Sequence, residues 1–201
     1  MFTKINNKLL DTLALYTNGY NKAFHIRKCE RVLNTSSRTA KKSLDYLEKQ
    51  AVLSSKYIGK TKIFFLQNNE IAKRAMILTE EFKTIEFLEQ RPLIKEIAER
   101  IYPAIEGTGI IFGSYAKKLD KKTSDLDLCI SGKYDEALIK DTSILFDIQI
   151  NVKCYPKKIF QKEIHKDILL NEVLKNHILL KGAETFVRIV MKDEQSKMVF
   201  D

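Results

Sequence analysis

At 201 residues, with 44% hydrophobic and 30% charged positions, the chain has the composition of a soluble protein of one large or two small domains. Its formal net charge of +9 sits wholly in residues 1–66, which hold thirteen Lys and Arg against four acids, while the remainder is balanced at twenty-two of each. Cys29, Cys129 and Cys154 lie far apart without C-x-x-C spacing and His25, His165 and His177 are scattered, so neither a disulfide framework nor a zinc site is indicated; no apolar run or leader marks a membrane partner, and the expected compartment is the cytoplasm.

Ile5, Leu9, Leu10, Leu13 and Leu15 form an apolar face over about three turns and stop near Asn18-Gly19, which predicts a first helix. A short helix is expected from Phe24 to Leu33, with Ile26, Val32 and Leu33 available for burial. Asn34-Thr35-Ser36-Ser37 is a turn in which Thr35 or Ser36 can cap the next helix, expected from Ser37 to Lys49. That helix buries Ala40, Leu44 and Leu47, and its other side carries Arg38, Lys41 and Lys42 with Ser43 beside them. Val52-Leu53 and Tyr57 open a strand, Gly59-Lys60-Thr61 turns it, and Ile63 to Leu66 returns. An excess of cations confined to one end points to a polyanion, because phosphate neutralisation with counterion release dominates nucleic-acid affinity.

Three helices followed by a basic hairpin, clearest from Thr35 to Leu66, resemble a winged helix-turn-helix domain. The resemblance implies that residues 1–67 bind double-stranded DNA, the third helix entering the major groove. Ser37, Arg38, Lys41 and Lys42 would then face the duplex, with Lys56, Lys60 and Lys62 on the wing. Arg38 is suited to guanine and the lysines to phosphates.

From Asn69 to Gln90, Ile71, Ala75, Leu78, Phe82, Ile85 and Leu88 recur at helical steps with Met76 and Phe87 beside them, which predicts one connecting helix over 68–91. Its apolar stripe can pack on the chain's own domains or pair with a second copy as a homodimer. Leu93 to Ile101 makes a further helix, with Pro103 near its end.

Ile110, Ile111 and Phe112 run into Gly113-Ser114, and ten residues later Asp125-Leu126-Asp127-Leu128-Cys129-Ile130 alternates acid and apolar positions. Both stretches read as strands. Side chains alternate across a strand, so Asp125 and Asp127 share one face while Leu126 and Leu128 point into a core. A divalent cation between the two acids relieves their repulsion, and hard oxygens suit Mg²⁺ or Mn²⁺. Gly113 allows a close approach to phosphate, and Ser114 adds a hydroxyl.

In this order and spacing the residues resemble the DNA polymerase β-like nucleotidyltransferase superfamily. The resemblance implies a small mixed-sheet domain over 92–191 and an α+β chain overall. It implies Asp125 and Asp127 as metal ligands and catalytic residues, Gly113, Ser114 and Lys117 as nucleotide-binding, and an NTP, with ATP first, as substrate or ligand. Lys118 departs from the pattern, since many relatives carry Gly there.

Ser131-Gly132-Lys133 reads as a turn, Tyr134 to Lys140 as a short helix, and Ile144 to Val152 as a strand beside the Asp125 strand. The family usually supplies a third carboxylate from that strand. Counting back from Pro156, the position falls on Asn151, and the strand's one acid, Asp147, shares its parity and is the substitute. An amide cannot serve as a general base near neutral pH. Phe160 to Lys175 reads as a helix, Asn176 to Gly182 resembles the end of the minimal transferase domain, Phe186 to Met191 is read as a strand, and 192–201 as a flexible tail. Three functions follow from these readings: a DNA-bound transferase that also regulates transcription, a nucleotide-sensing regulator without catalysis, and an antitoxin-like partner of a toxin.

Overall fold

The computed structural model describes residues 6–121 and 123–193 and divides them into two units, one from the start to Thr79 with the residues from Val187 on, the other from Glu80 to Phe186. The division differs from boundaries at 67, 91 and 191: it falls inside a continuous helix, and the last helix contributes to both units.

In the first unit Asn6 caps α1 (Asn7–Thr17), its side chain accepting from the Leu9 amide at 3.1 Å; Ile5 lies outside the described residues. The segment expected to be wholly helical splits into β1 (Ala23–His25) and α2 (Ile26–Val32). Cys29 is the buried side chain of α2, Ile26 and Leu33 are half-buried, and Val32 is 57% exposed, so the expected burial fails at Val32. Ser36 caps α3 (Ser37–Lys49), which presents Ala40, Ser43, Leu44 and Leu47 inward. Ser43 thus belongs to the buried side and not to the basic face. Truncating fully buried Leu44 or Leu47 to alanine would cost about 2–5 kcal/mol. The hairpin is β2 (Leu53–Ile58) and β3 (Thr61–Leu66), with β1 on the other side of β3. Tyr16 ties helix to sheet, its hydroxyl donating to the Phe64 carbonyl at 3.2 Å and its ring edge-on to Phe24.

Helix α4 (Glu70–Glu89) follows, and its buried face is rotated from the expected stripe. Ala72, Met76, Thr79, Glu80, Thr84 and Phe87 are inside, while Ile71, Leu78 and Ile85 are 41–55% exposed. The reason is polar satisfaction. Thr84 donates to the Leu179 carbonyl at 2.9 Å, and Glu80 meets His177 and Lys83, so polar residues occupy positions that a hydrophobic pattern assigns outward.

In the second unit α5 (Pro92–Ile101) starts on Pro92, and a 3-10 turn at Tyr102–Ala104 leads into β4 (Ile105–Phe112). A four-residue helix, α6 (Gly113–Ala116), precedes β5 (Leu126–Tyr134). The turn expected at Ser131-Gly132-Lys133 is absent: β5 runs through it. Gly132 lies at φ +142° opposite Gly107, and a Cβ on it would meet the Glu106 carbonyl oxygen at 2.0 Å, so glycine here serves close strand approach.

Asp135 caps α7 (Glu136–Phe146), which absorbs the apolar residues 144–146 read as strand. The strand β6 (Ile150–Tyr155) begins only after Asp147, a left-handed residue at φ 49° that ends α7. Lys157–Glu163 (α8) and Ile168–Lys175 (α9) replace one expected helix, broken where Asp167 caps the second. After β7 (Ile178–Lys181) comes α10 (Ala183–Asp193), so the strand expected at Phe186–Met191 is helical. Of the tail expected at 192–201, Lys192 and Asp193 end α10, and the rest lies outside the described residues.

The second sheet has the order β6-β5-β4-β7, with β5 parallel to β6 and antiparallel to β4. Ile111, Leu126, Leu128 and Ile130 pack on one face against Ile94, Ile97, Ile101 and Ile139 from α5 and α7. Because β4 is antiparallel and β6 parallel to β5, the C-terminal end of β4 and the N-terminal ends of β5 and β6 meet at one end of the sheet.

Candidate functional site

At that end Phe112 pairs with Asp127, and Asp127 with Asn151. Gly113 follows immediately at φ +71°, and a Cβ there would lie 2.2 Å from Asp127 Oδ2. Glycine is therefore required twice, for a left-handed conformation and for contact with the carboxylate. Ser114 sits in the first turn of α6. The turn closes through the Leu119 amide donating to the Ser114 carbonyl at 2.9 Å and the Lys118 amide to that of Tyr115 at 3.1 Å. Lys118 takes the left-handed position at φ 57° that glycine usually fills in this motif, a strain of about 1 kcal/mol.

Asp125 lies one residue before β5 and is exposed; Asp127 is half-buried within it. The Asn151 side chain joins them, Nδ2 donating to Asp127 Oδ1 at 3.2 Å and, more weakly, to Asp125 Oδ2 at 3.5 Å. Gln149 Nε2 donates to Asn151 Oδ1 at 2.9 Å, which turns the amide hydrogens toward the acids. Two carboxylates thus converge on one electropositive group, an arrangement of hard oxygens that a magnesium or manganese ion also fits. Among the described residues no group of three or more His, Cys, Asp or Glu could hold a metal, so an ion here would rest on Asp125 and Asp127, its shell completed by water and phosphate oxygen. Asp147 does not belong to this strand. The parity that paired it with Asn151 disappears once it is the end of α7.

The loop between bend and acids is held from outside. Arg91 grips Asp120 with two hydrogen bonds, Nη2 to Oδ1 at 2.9 Å and Nε to Oδ2 at 3.3 Å, while stacking on Phe87 at 4.6 Å. Those bonds hold the Asp120 carboxyl below its usual range. The Lys121 amide donates to Ser124 Oγ at 2.8 Å, and the Tyr115 hydroxyl to the Ser124 carbonyl at 3.4 Å; burial pushes that phenol up. Neither the Arg91 clamp nor the Gln149 support was found from sequence. Arg91 and Asp120 are 29 residues apart, and no local pattern couples them. Lys117 Nζ is 3.4 Å from Glu172 Oε2 on α9, a half-exposed pair from which it can be drawn at little cost. Asp127 and Asn151 also line a groove of about 660 Å³ running past Lys140, Ser143 and Lys153, a volume within the range of small-molecule sites.

In the first unit Ser37, Arg38, Lys41 and Lys42 are exposed on α3, and Lys56 and Lys60 on the hairpin. Ser37 donates to Glu30, which orients it. Lys62 differs: half-buried, it lies 2.6 Å from Glu48 and 4.0 Å from Asp45. Hydrogen bonds from Lys62 and Ser55 hold the Glu48 carboxyl low, and Glu48 raises the Lys62 ammonium. Its charge is spent inside the unit.

Residues 91–180 match the family model of the nucleotidyltransferase domain, which covers the bend, both acids and Asn151. None of the curated proteins matches the chain. Among solved structures, the archaeal chromatin protein TrmBL2, described as showing a novel mode of DNA binding, is similar over 85% of this chain and 70% of its own, at 12% identity and a TM-score of 0.30. No helix among the described residues is long and apolar enough to cross a membrane.

Proposed function

We propose that the chain transfers a nucleoside monophosphate from an NTP, ATP being the first to test, to an acceptor hydroxyl, and that its basic N-terminal unit binds duplex DNA. The observation that carries the first part is the convergence of Asp125 and Asp127 on one point, with the Asp127 carboxylate against Gly113. Asp125 and Asp127 would hold Mg²⁺ or Mn²⁺, which supplies charge neutralisation for the triphosphate and makes the phosphorus more electrophilic. The Gly113-Ser114 turn would take the terminal phosphates through its amides and the Ser114 hydroxyl, with Lys117 leaving Glu172 to screen them. The acceptor oxygen bonds to the α-phosphorus as the bond to pyrophosphate breaks. Its proton passes to solvent, because an amide at 151 has no lone pair basic enough to take it.

The DNA half is supported by the three-helix and three-strand arrangement, which suits a winged helix-turn-helix, and by the exposed cations of α3. Asn151 favours a second reading, a regulator in which the site binds nucleotide without transferring it.

The two are separated with the full chain, α-labelled ATP and Mg²⁺, beside an Asp125→Asn/Asp127→Asn variant. Label in protein or added nucleic acid that disappears in the variant supports transfer. Saturable ATP binding lost in the variant, with no label transferred, supports sensing. Absence of metal-dependent ATP binding sinks both.

A further inference from the structure

The first unit contains a second cavity, unrelated to any nucleotide chemistry. It measures about 190 Å³ and lies between α1, the turn joining α2 to α3, and the inner side of α3. A volume below the ~300 Å³ at which sites for drug-sized ligands begin leaves no room for a nucleotide. Its walls mix polar side chains with Leu33 and Ala40; the Thr12 and Thr39 hydroxyls are already bonded, to the Lys8 carbonyl and to Ser36, while others are open. Ser43 is 7% exposed and lines the cavity, yet its hydroxyl has no hydrogen-bond partner among the described residues. Asp11 makes no ion pair among the described residues, although Lys8 stands three residues earlier on α1 and lines the same cavity. Thr35 and Asn34 border it from the turn, Asn34 held at φ 46°. The Ser43 hydroxyl keeps contact with solvent at the cavity wall, so it is open to a partner that enters there.

We propose that this cavity binds a small zwitterion of α-amino-acid size, its ammonium on the Asp11 carboxylate and its carboxylate against the Lys8 ammonium and the hydroxyls of Ser43 and Thr35. One group of each sign on one helix face, neither satisfied by the other, matches a ligand that carries both charges close together. The Asp11 carboxyl is lifted above its usual range by burial, as expected of an acid without its counter-ion. An occupant would bridge α1 to α3, the helix whose outer side carries Arg38, Lys41 and Lys42. Binding would therefore stabilise the unit by mass action and steady the basic face.

The test is a ¹H–¹⁵N amide spectrum of the full chain titrated with each of the twenty free amino acids to about 10 mM, with methylammonium chloride and sodium acetate as half-ligand controls. The expected result is saturable shifts at amides around residues 8–12 and 34–43 for at least one amino acid, and none with either control. In Asp11→Asn, which keeps the shape of the side chain, the affinity should fall tenfold or more. If Asp11→Asn disturbs the free spectrum, Ser43→Ala serves as the second variant, with a threefold or larger loss expected. The proposal is overturned if no amino acid gives saturable shifts at those amides, if the controls reproduce them, or if neither variant weakens them.

Discussion

The two units handle charge in opposite ways. In the first, Arg38, Lys41, Lys42 and Lys60 are exposed and make no ion pair among the described residues, so their field reaches into solvent. In the second, polar and charged groups are held within the fold: Asp125 and Asp127 share hydrogens of the neutral Asn151 amide, Arg91 grips Asp120, and Glu80, fully buried, lies 3.0 Å from His177 and 2.8 Å from Lys83. An unmatched surface can attract a long polyanion by counterion release whatever its sequence. A matched cluster responds only to what can replace one of its members in the same geometry.

The largest effect should come from breaking the deepest match. His177 Nδ1 faces the Val173 carbonyl at 3.0 Å and so donates to it, and Nε2 lies 3.0 Å from Glu80 Oε1. Burial alone would raise the Glu80 carboxyl, but Lys83 and His177 hold it at about 2 against its ordinary 4.5. A depressed carboxylate stabilises fully above its unfolded value and loses that contribution as pH falls from about 4.5 toward 2. Glu80→Gln should destabilise the chain at pH 7 by about 3 kcal/mol and flatten this acid limb, read by urea unfolding under circular dichroism. An unchanged acid limb would mean that the cluster contributes no charge coupling.

Next in size is the match at the candidate site. Asn151→Asp puts a basic oxygen where the amide now sits, and transfer of label from ATP should rise about a hundredfold if the site is catalytic. A variant that binds ATP and Mg²⁺ more tightly yet transfers nothing would favour the sensing reading. On the unmatched side, Lys41→Ala/Lys42→Ala should weaken binding to duplex DNA about tenfold and lower the slope of log affinity against log salt by about 2. Lys62→Ala should leave that slope unchanged, because its charge is already taken by Glu48. Equal effects of the two replacements would erase the contrast between free and spent cations. The smallest change is Lys118→Gly, which should stabilise by about 1 kcal/mol in the same urea titration by removing the left-handed strain.

Much of this architecture was legible in local patterns. The bounds of α3 follow from Ser36 as cap and from Ala40, Leu44 and Leu47 at helical spacing, and the alternation from Leu126 to Ile130 marks β5. The misreadings have separate causes. Ile144-Leu145-Phe146 has strand composition but ends a helix, because Asp147 takes a left-handed stop without the glycine that normally announces it. Likewise Phe186 to Met191 has β-branched residues yet lies in α10, and the face of α4 was turned by buried Thr79, Glu80 and Thr84, whose partners lie elsewhere in the chain or on their own backbone.

Sequence alone determined the chemistry on offer: a glycine-serine bend, two acids at strand spacing, and a basic N-terminal third, since these depend on residue type and on periods of two or 3.6. Tertiary structure alone decided that Asp147 is left off the strand on which Asn151 faces Asp127, that Lys62 is spent and that Asp11 and Ser43 share a cavity. Those outcomes are set by strand pairing and packing between residues far apart in the chain, and periodicity along the chain carries no information about which distant partner a side chain will meet.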